Sequence, residues 1–280
     1  MESIQELREN LQSEKLEGRE RPWGYRWFQR GPSIFLTWLL VRTPLAPNTI
    51  TLLSIFSGLI GAYFFLCPNG ILKLLALFLF YLHLILDRVD GEVARYKKRF
   101  SLKGIYLDEL NHYIIPPLFF LSLAWGLKDT TAYSESIILL AGMLAGFSSI
   151  LLRLTHNLPY GIFLKKYIKH RDIFPLPPFS PTISSIRANH SFLYPILRFL
   201  HQFQDFFLTI VFFAITLLME QYAVKNGFLF PYTSLLLFGY AVYLPCIVLE
   251  NIAKGVRTIE ARMKESISTL ETTPYNETQQ

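Results

Sequence analysis

Residues 71–94 read ILKLLALFLFYLHLILDRVDGEVA, an apolar stretch that ends in a short acidic motif. A helix needs about 20 predominantly apolar residues to cross the hydrocarbon core of a bilayer. The stretch is long enough to do so, and Lys73 is its only Lys, Arg, Asp or Glu before Asp87. It therefore predicts a membrane-spanning helix whose last turns carry charged side chains.

Similar apolar runs on both sides of this stretch predict five further spans. The six predicted spans lie near 49–66, 71–94, 104–126, 135–155, 203–222 and 228–250. The composition agrees, because 51% of the residues are hydrophobic and only 17% are charged, a balance unusual for a soluble domain. We therefore predict an all-α integral membrane protein with six transmembrane helices.

The chain outside the spans is predicted to form three further segments. Residues 1–48 make an N-terminal segment in which 1–21 are hydrophilic and frayed or weakly helical, and aromatic residues and arginines over 22–43 favour a helix at the membrane interface. Asn48 is expected to cap the first span. Within the transmembrane domain of 49–250, the proline-containing insert 156–202 is predicted to form surface helices near 159–170 and 191–202. Residues 251–280 form a polar tail, predicted to be disordered from about 264.

Lysines and arginines concentrate in the loops that follow the even-numbered spans, and the net charge is +6. Cytoplasmic loops of membrane proteins carry an excess of Lys and Arg, so both termini are predicted to be cytoplasmic. A bacterial inner membrane and the endoplasmic reticulum both remain open. Because the loops account for the charge, we expect no nucleic-acid partner.

The acidic motif places chemistry on one helix face. If the second span continues as a helix, Asp87, Asp90, Gly91 and Ala94 fall at i, i+3, i+4 and i+7 and share a surface. Two carboxylates then lie beside two positions with little or no side chain, which leaves room for a bound ligand. Arg95 and the basic loop after it can contact phosphate.

The third span presents Asp108 and His112 at i and i+4, again on one face. Carboxylates within membrane spans are costly, so they face the bundle interior or a wet cavity and mark function. Aspartates from neighbouring helices would repel one another unless a cation lay between them. Hard oxygen ligands suit Mg²⁺, Mn²⁺ or Ca²⁺, so the sequence predicts a divalent-metal site.

The complete pattern from Asp87 to His112 is D-x2-D-G-x2-A-R-x8-G-x3-D-x3-H. It resembles the signature of the CDP-alcohol phosphotransferases, whose last position is normally Asp. Every other defined position matches with the correct spacing. The segment from Pro47 to Thr51 also resembles the entry of that family into its first helix.

The resemblance implies a six-helix fold, usually homodimeric, with an active site open to the cytoplasmic membrane surface. It implies two Mg²⁺ or Mn²⁺ ions, a CDP-alcohol donor (CDP-diacylglycerol favoured), a hydroxyl acceptor whose identity stays open, contact with membrane lipids, and release of CMP in phospholipid biosynthesis. Carried over residue by residue, the metal ligands are Asp87, Asp90 and Asp108, and the nucleotide-binding wall is Gly91, Ala94 and Arg95, with Gly104 allowing close helix approach.

His112 departs from the family pattern, in which the final aspartate is the expected general base. Three interpretations are open. His112 is itself the base, with Asp108 as its catalytic partner; or it ligates a metal and favours Mn²⁺ or another softer ion; or catalysis is altered and the site only binds nucleotide or lipid. Glu109 is a poor substitute base, since it lies about 100° around the helix from Asp108.

Several neighbouring polar residues carry two interpretations each. His83 either hydrogen-bonds a ligand carboxylate or is packed in the bundle. Arg88 and Glu92 either contact the nucleotide or are charges at a helix–water boundary. Arg153 either binds an anionic acceptor or lipid phosphate, or anchors its span. Asp205 is predicted to lie at the start of the fifth span, where the helix dipole favours negative charge.

Overall fold

The computed structural model describes residues 3–16, 25–131, 133–170 and 201–272, and within these ranges it contains helices and no strand. A π-helical turn covers Tyr25–Arg30 and a 3-10 turn covers Gln202–Gln204. The α-helices are α1 (Ile4–Leu16), α2 (Gly31–Leu40), α3 (Pro47–Phe65), α4 (Gly70–Tyr96), α5 (Leu102–Leu127), α6 (Glu135–His170), α7 (Phe206–Lys225) and α8 (Tyr232–Thr272).

Helices α3 to α8 provide six candidate membrane spans, each long and apolar enough to cross a bilayer, with mean hydropathy between 1.2 and 2.1. Every one begins within four residues of its predicted start. The protein is therefore a multi-pass, all-α integral membrane protein, as predicted. The location of α2 at the membrane interface stays a prediction.

Two helices extend beyond their predicted ends. Helix α6 continues through Pro159 to His170, so the prediction of a separate surface helix over 159–170 is wrong. A proline removes one backbone hydrogen bond, and neighbouring polar groups can compensate for it in a membrane helix. Helix α8 likewise runs to Thr272, into the segment expected to be disordered. The predicted helix at 191–202 lies almost wholly outside the described residues.

The N-terminal segment is more ordered than its sequence indicates, because α1 is a helix over Ile4–Leu16. Its buried Leu7 and Leu11 pack with Ile34 of α2. The π-helical turn of Tyr25–Arg30 passes directly into α2 at Gly31, and Arg30 keeps helical backbone angles (φ −76°, ψ −29°).

The prediction that Asn48 caps α3 is wrong. The N-cap is Ala46, and Pro47 occupies the first helical position, where a missing N–H costs nothing. The Asn48 side chain instead accepts a hydrogen bond of 3.1 Å from Ser101 Oγ, and Ser101 Oγ in turn accepts one of 3.0 Å from Gly104 N. Asn48 therefore joins the start of α3 to the start of α5.

Aromatic rings fill the bundle between α3, α4, α5 and α7. Phe119 lies edge-on to Phe65, Phe80 and Phe213, with ring centroids 5.1, 4.9 and 5.4 Å away. Each of these rings is fully buried. This apolar core begins two turns before Asp87 on α4 and supports the polar site.

Helix α6 approaches α5 closely at Gly142 and Gly146, as their GxxxG spacing indicates. A Cβ atom added to Gly142 would lie 2.3 Å from the Cβ of Ala124, and one added to Gly146 would lie 3.2 Å from the carbonyl oxygen of Pro117. Small residues thus bring Arg153, further along α6, beside the N-terminal half of α5.

Candidate metal centre

All eight site residues predicted from the sequence line one cavity of about 310 Å³, which we call the site cavity. They are Asp87, Asp90, Gly91, Ala94, Arg95, Gly104, Asp108 and His112. Helix α4 continues through the acidic motif to Tyr96, so its four motif positions from Asp87 to Ala94 share a face as expected. The volume is within the range of small-molecule sites in proteins.

Asp87, Asp108 and His112 form the tightest group of ligand atoms in the site cavity. One ligand atom of each lies within 4.8 Å of the others. The Nε2 atom of His112 lies 3.8 Å from Asp108 Oδ1, which is the one ion pair that the described residues form with any of the three aspartates. Carboxylates this close together repel one another when ionised, and a bound cation would offset that repulsion. Two carboxylates and an imidazole are a suitable donor set for Mn²⁺ or Mg²⁺.

Asp90 lies in the same cavity but outside this group of three. Its carboxylate is 7% exposed, and Oδ2 accepts a hydrogen bond of 2.6 Å from Thr51 Oγ1. Such a contact orients a carboxylate and leaves its other oxygen available. The structure thus groups His112, rather than Asp90, with Asp87 and Asp108.

Asn111 is a site residue that the sequence analysis missed. Its buried side-chain Nδ2 donates 2.9 Å to Asp87 Oδ1 and 3.4 Å to Ser54 Oγ. It therefore fixes the orientation of the Asp87 carboxylate. Two signals were present in the sequence: an amide within an apolar span, and the polar positions Asn48, Thr51 and Ser54 spaced three apart along α3.

His83 is a packed histidine, and within the described part of the chain its ring hydrogen-bonds to Ser54 and not to a predicted ligand carboxylate. It is 3% exposed, and its Nδ1 lies 2.9 Å from Ser54 Oγ and 3.1 Å from Ser54 O. The ring also lies edge-on to Phe206. The interpretation of His83 as a histidine packed in the bundle is therefore the one that the structure supports.

Arginines form one side of the site cavity, which Arg30, Arg88, Arg95 and Arg99 line. Tyr25 holds two of them, because its hydroxyl accepts 3.0 Å from Arg30 Nε and 2.9 Å from Arg88 Nη1. Both guanidinium groups also lie over the Tyr25 ring, at 5.5 and 4.5 Å from its centroid. Gly91 leaves open space beside Arg95, since an added Cβ would meet only Arg95 Nη1, at 3.5 Å.

Glu92 is fully buried, so both expectations for it, nucleotide contact and a boundary charge, are wrong. Its Oε1 accepts hydrogen bonds from the side chains of Gln12 (2.9 Å), Arg30 (2.7 Å) and Ser33 (3.0 Å), and Oε2 accepts one of 2.6 Å from Thr37. These donors come from α1, α2 and the π-helical turn. Glu92 therefore fastens the N-terminal segment to the helix that carries Asp87 and Asp90.

Replacing Glu92 with alanine should strongly destabilise the protein. Arg30 is 5% exposed and would keep a buried charge without a partner, while the other donors would lose their acceptor. Removing one member of a buried ion pair costs about 3–5 kcal/mol. Thermal unfolding in detergent measures the loss, and Glu9→Gln, on the exposed face of α1, is the control. An unchanged melting temperature for Glu92→Ala would contradict this account.

A second cavity of about 880 Å³ lies between α5, α6, α7, α8 and the turn before α7. His112 lines both this second cavity and the site cavity. The polar residues that line the second cavity include Ser149, Arg153, His156, His201, Gln202 and Asn251. The sequence analysis singled out His112, Arg153 and Asp205 but not the other polar groups of this cavity, which come from distant parts of the chain.

Arg153 faces the second cavity and forms a two-pronged ion pair with Glu109. Its Nη2 donates 2.6 Å to Glu109 Oε1 and its Nε donates 3.3 Å to Oε2, which also accepts 2.9 Å from Asn157 Nδ2. Asp205 caps α7 as predicted, accepting from the backbone N–H groups of Phe207 and Leu208 at 3.0 and 3.4 Å.

Residues 44–168 match the profile of a protein family described as CDP-alcohol phosphatidyltransferase. The matched region contains α3, α4, α5 and most of α6, and with them all eight predicted site residues. A search of curated proteins found no significant match.

Proposed function

Because the chain belongs to the CDP-alcohol phosphatidyltransferase family through residues 44–168, we propose that it transfers a phosphatidyl group from CDP-diacylglycerol to an acceptor hydroxyl. Membership implies phosphoalcohol transfer from a CDP-alcohol in lipid synthesis. The choice of CDP-diacylglycerol as the particular CDP-alcohol donor is our proposal. The observation that supports it best is the convergence of all eight motif residues on the site cavity.

The carboxylates of the site cavity suit divalent metal. Asp87, Asp108 and Asp90 would hold two Mg²⁺ or Mn²⁺ ions, and the imidazole of His112 beside them would favour Mn²⁺ if it coordinates. When bound, such ions neutralise charge on the diphosphate of the donor and on the leaving CMP. Asn111 and Thr51 orient two of the three carboxylates by hydrogen bonds.

The protein's own groups bind and orient the donor. Arg95 and Arg99 line the site cavity and can donate hydrogen bonds to its phosphates. The open wall at Gly91 and Ala94 leaves room for the nucleotide. Arg30 lines the same cavity, but its charge is compensated by Glu92.

His112 would take the proton from the acceptor. A neutral imidazole can accept the hydroxyl proton as the acceptor oxygen forms its bond to phosphorus and the bond from phosphorus to the CMP oxygen breaks. Asp108, 3.8 Å away, can orient the ring and stabilise its protonated form. Because His112 lines both cavities, we propose that the donor occupies the site cavity and the acceptor occupies the second cavity.

A second candidate function is a nucleotide- or lipid-binding membrane protein with altered catalysis. The observation that favours it is the histidine at the position where the family has its base. The two functions differ in turnover, since a binding protein would hold a CDP-alcohol without releasing CMP.

The topology is also part of the proposal. The distribution of Lys and Arg supports cytoplasmic termini, so the site cavity would open at the cytoplasmic surface, in a bacterial inner membrane or the endoplasmic reticulum. The family resemblance supports a homodimer.

A screen of CDP-alcohol donors tests the proposed function. Purified protein in detergent or vesicles is given CDP-diacylglycerol or a CDP headgroup donor with a set of alcohols, and CMP is followed by mass spectrometry. We expect CMP release with CDP-diacylglycerol, loss of release with EDTA, and recovery with Mg²⁺ or Mn²⁺. If the protein bound a donor tightly but released no CMP under any of these conditions, the second candidate function, a nucleotide- or lipid-binding protein, would be correct instead.

A further inference from the structure

The charged side chains that line the second cavity indicate which kind of acceptor alcohol it can bind. Among its described lining residues, Arg153 is the only arginine or lysine. The guanidinium of Arg153 is already held by Glu109 through two hydrogen bonds, at 2.6 and 3.3 Å. This fork occupies the Nε–Nη2 edge of the guanidinium, one of the two edges by which arginine can bind a phosphate, and it neutralises the charge of Arg153.

Glu109 is itself fixed in this position. Asn157 Nδ2 donates 2.9 Å to Glu109 Oε2, and the same nitrogen lies 3.3 Å from the Tyr113 hydroxyl. Residues of α5 and α6 therefore hold the carboxylate on Arg153 from both sides. For a phosphate to take the Nε–Nη2 edge of Arg153, Glu109 would have to give up three hydrogen bonds.

The remaining titratable groups that line the second cavity are the histidines His112, His156 and His201 and the carboxyl group of Asp205, and none of them is a permanent cation. His201 is paired with Glu250, with Nε2 3.1 Å from Oε2. Asp205 contributes a carboxyl group whose pKa is raised by burial. Ser149, Gln202 and Asn251 add uncharged polar side chains that can hydrogen-bond hydroxyl groups.

We infer that the Glu109–Arg153 pair makes the second cavity select an acceptor alcohol that carries no phosphate of its own. This inference rests on the proposed function, and it names the class of acceptor. A phosphate ester would bring its dianion next to the carboxylate of Glu109, which repels it. It would also meet an Arg153 guanidinium whose charge Glu109 already neutralises, so it would gain little attraction in return. An uncharged alcohol meets neither obstacle.

Glu109→Gln should relax this selection. The amide keeps the shape of the side chain but no longer neutralises Arg153, which becomes available to a phosphate. We compare glycerol with glycerol 3-phosphate, and inositol with inositol phosphate, as acceptors or as competitors of the working acceptor. In the wild type we expect the uncharged member of each pair to be preferred. In Glu109→Gln the KM or inhibition constant of the phosphate ester should fall about tenfold, as expected for one hydrogen bond to a charged group.

Two further variants show whether the effect comes from Arg153. The double variant Glu109→Gln/Arg153→Gln should lose the tenfold gain for the phosphate ester. Glu135→Gln breaks the Lys128–Glu135 ion pair at the opposite end of the same two helices, where the nitrogen and oxygen are 2.8 Å apart, and should leave the acceptor preference unchanged. A gain that persists in the double variant, or that also occurs in Glu135→Gln, would overturn the inference.

The outcome can be separated from that of the proposed function. If CMP is released but the wild type prefers phosphate esters, the transferase stands and the acceptor inference fails. If no donor yields CMP, the proposed function fails, and phosphate binding decides the role of the pair. Inorganic phosphate, titrated by calorimetry, should then bind Glu109→Gln about tenfold more tightly than the wild type. Equal binding would refute the role given to Glu109.

Discussion

Asp87→Asn should lower metal-dependent CMP release about a thousandfold. Asp87 belongs to the group whose ligand atoms lie within 4.8 Å of one another, and Asn111 holds one of its oxygens in place. The substitution keeps the shape of the side chain but removes a negative charge from the metal site. Losing one group that stabilises charge in a transition state costs about 10²–10³-fold, and loss of bound metal adds to it.

CMP release by wild type and Asp87→Asn, measured over a range of Mn²⁺ and Mg²⁺ concentrations, checks this prediction. Asp129→Asn is a matched control, because Asp129 is exposed just beyond the far end of α5. The control should retain wild-type activity. If Asp87→Asn kept its activity and its metal dependence, the assignment of Asp87 as a metal ligand would be wrong.

His112→Gln should lower kcat by about 10²–10⁴-fold, the range associated with loss of a general acid or base. Glutamine preserves a polar side chain at the boundary between the two cavities but cannot take up a proton at neutral pH. The KM for the donor should change little, since His112 is proposed to act on the acceptor. Both parameters come from initial rates of CMP release at saturating metal.

The metal requirement separates the two catalytic interpretations of His112. If the ring acts as a base, the metal concentration for half-maximal activity should be the same in His112→Gln and wild type. A large rise in that concentration, or a change from Mn²⁺ to Mg²⁺ preference, would identify His112 as a ligand. His112→Asp restores the residue normal in the family. Strong turnover gained from an inert parent would favour the binding protein over the transferase.

Local sequence determined the helices and the faces on which the motif residues lie. The apolar runs fix the spans because each must satisfy its own backbone hydrogen bonds within the bilayer. The helical period alone places Asp87, Asp90 and Gly91 on one face, and Asp108 with His112 on another. These predictions needed no knowledge of how the helices pack.

Partners across the bundle could not be read from the sequence. Glu92 looked like a boundary charge because it follows the motif, yet its carboxylate is buried by Gln12, Arg30 and Thr37. From its position around α5, Glu109 was judged only as a poor substitute base, yet its carboxylate forms an ion pair with Arg153 of α6. Each contact depends on the rotation and depth of helices that are distant in the chain.

The sequence by itself determined that this is a six-span membrane protein with a family motif of acidic residues at the ends of two neighbouring helices. Tertiary structure alone decided that Asp87 of α4 meets Asp108 and His112 of α5, that Asn111 and Thr51 orient the aspartates, and that a second cavity meets the first at His112. The physical reason is that hydrophobic length and helical period are properties of one segment. The contacts of a polar side chain, in contrast, depend on which helix packs beside it.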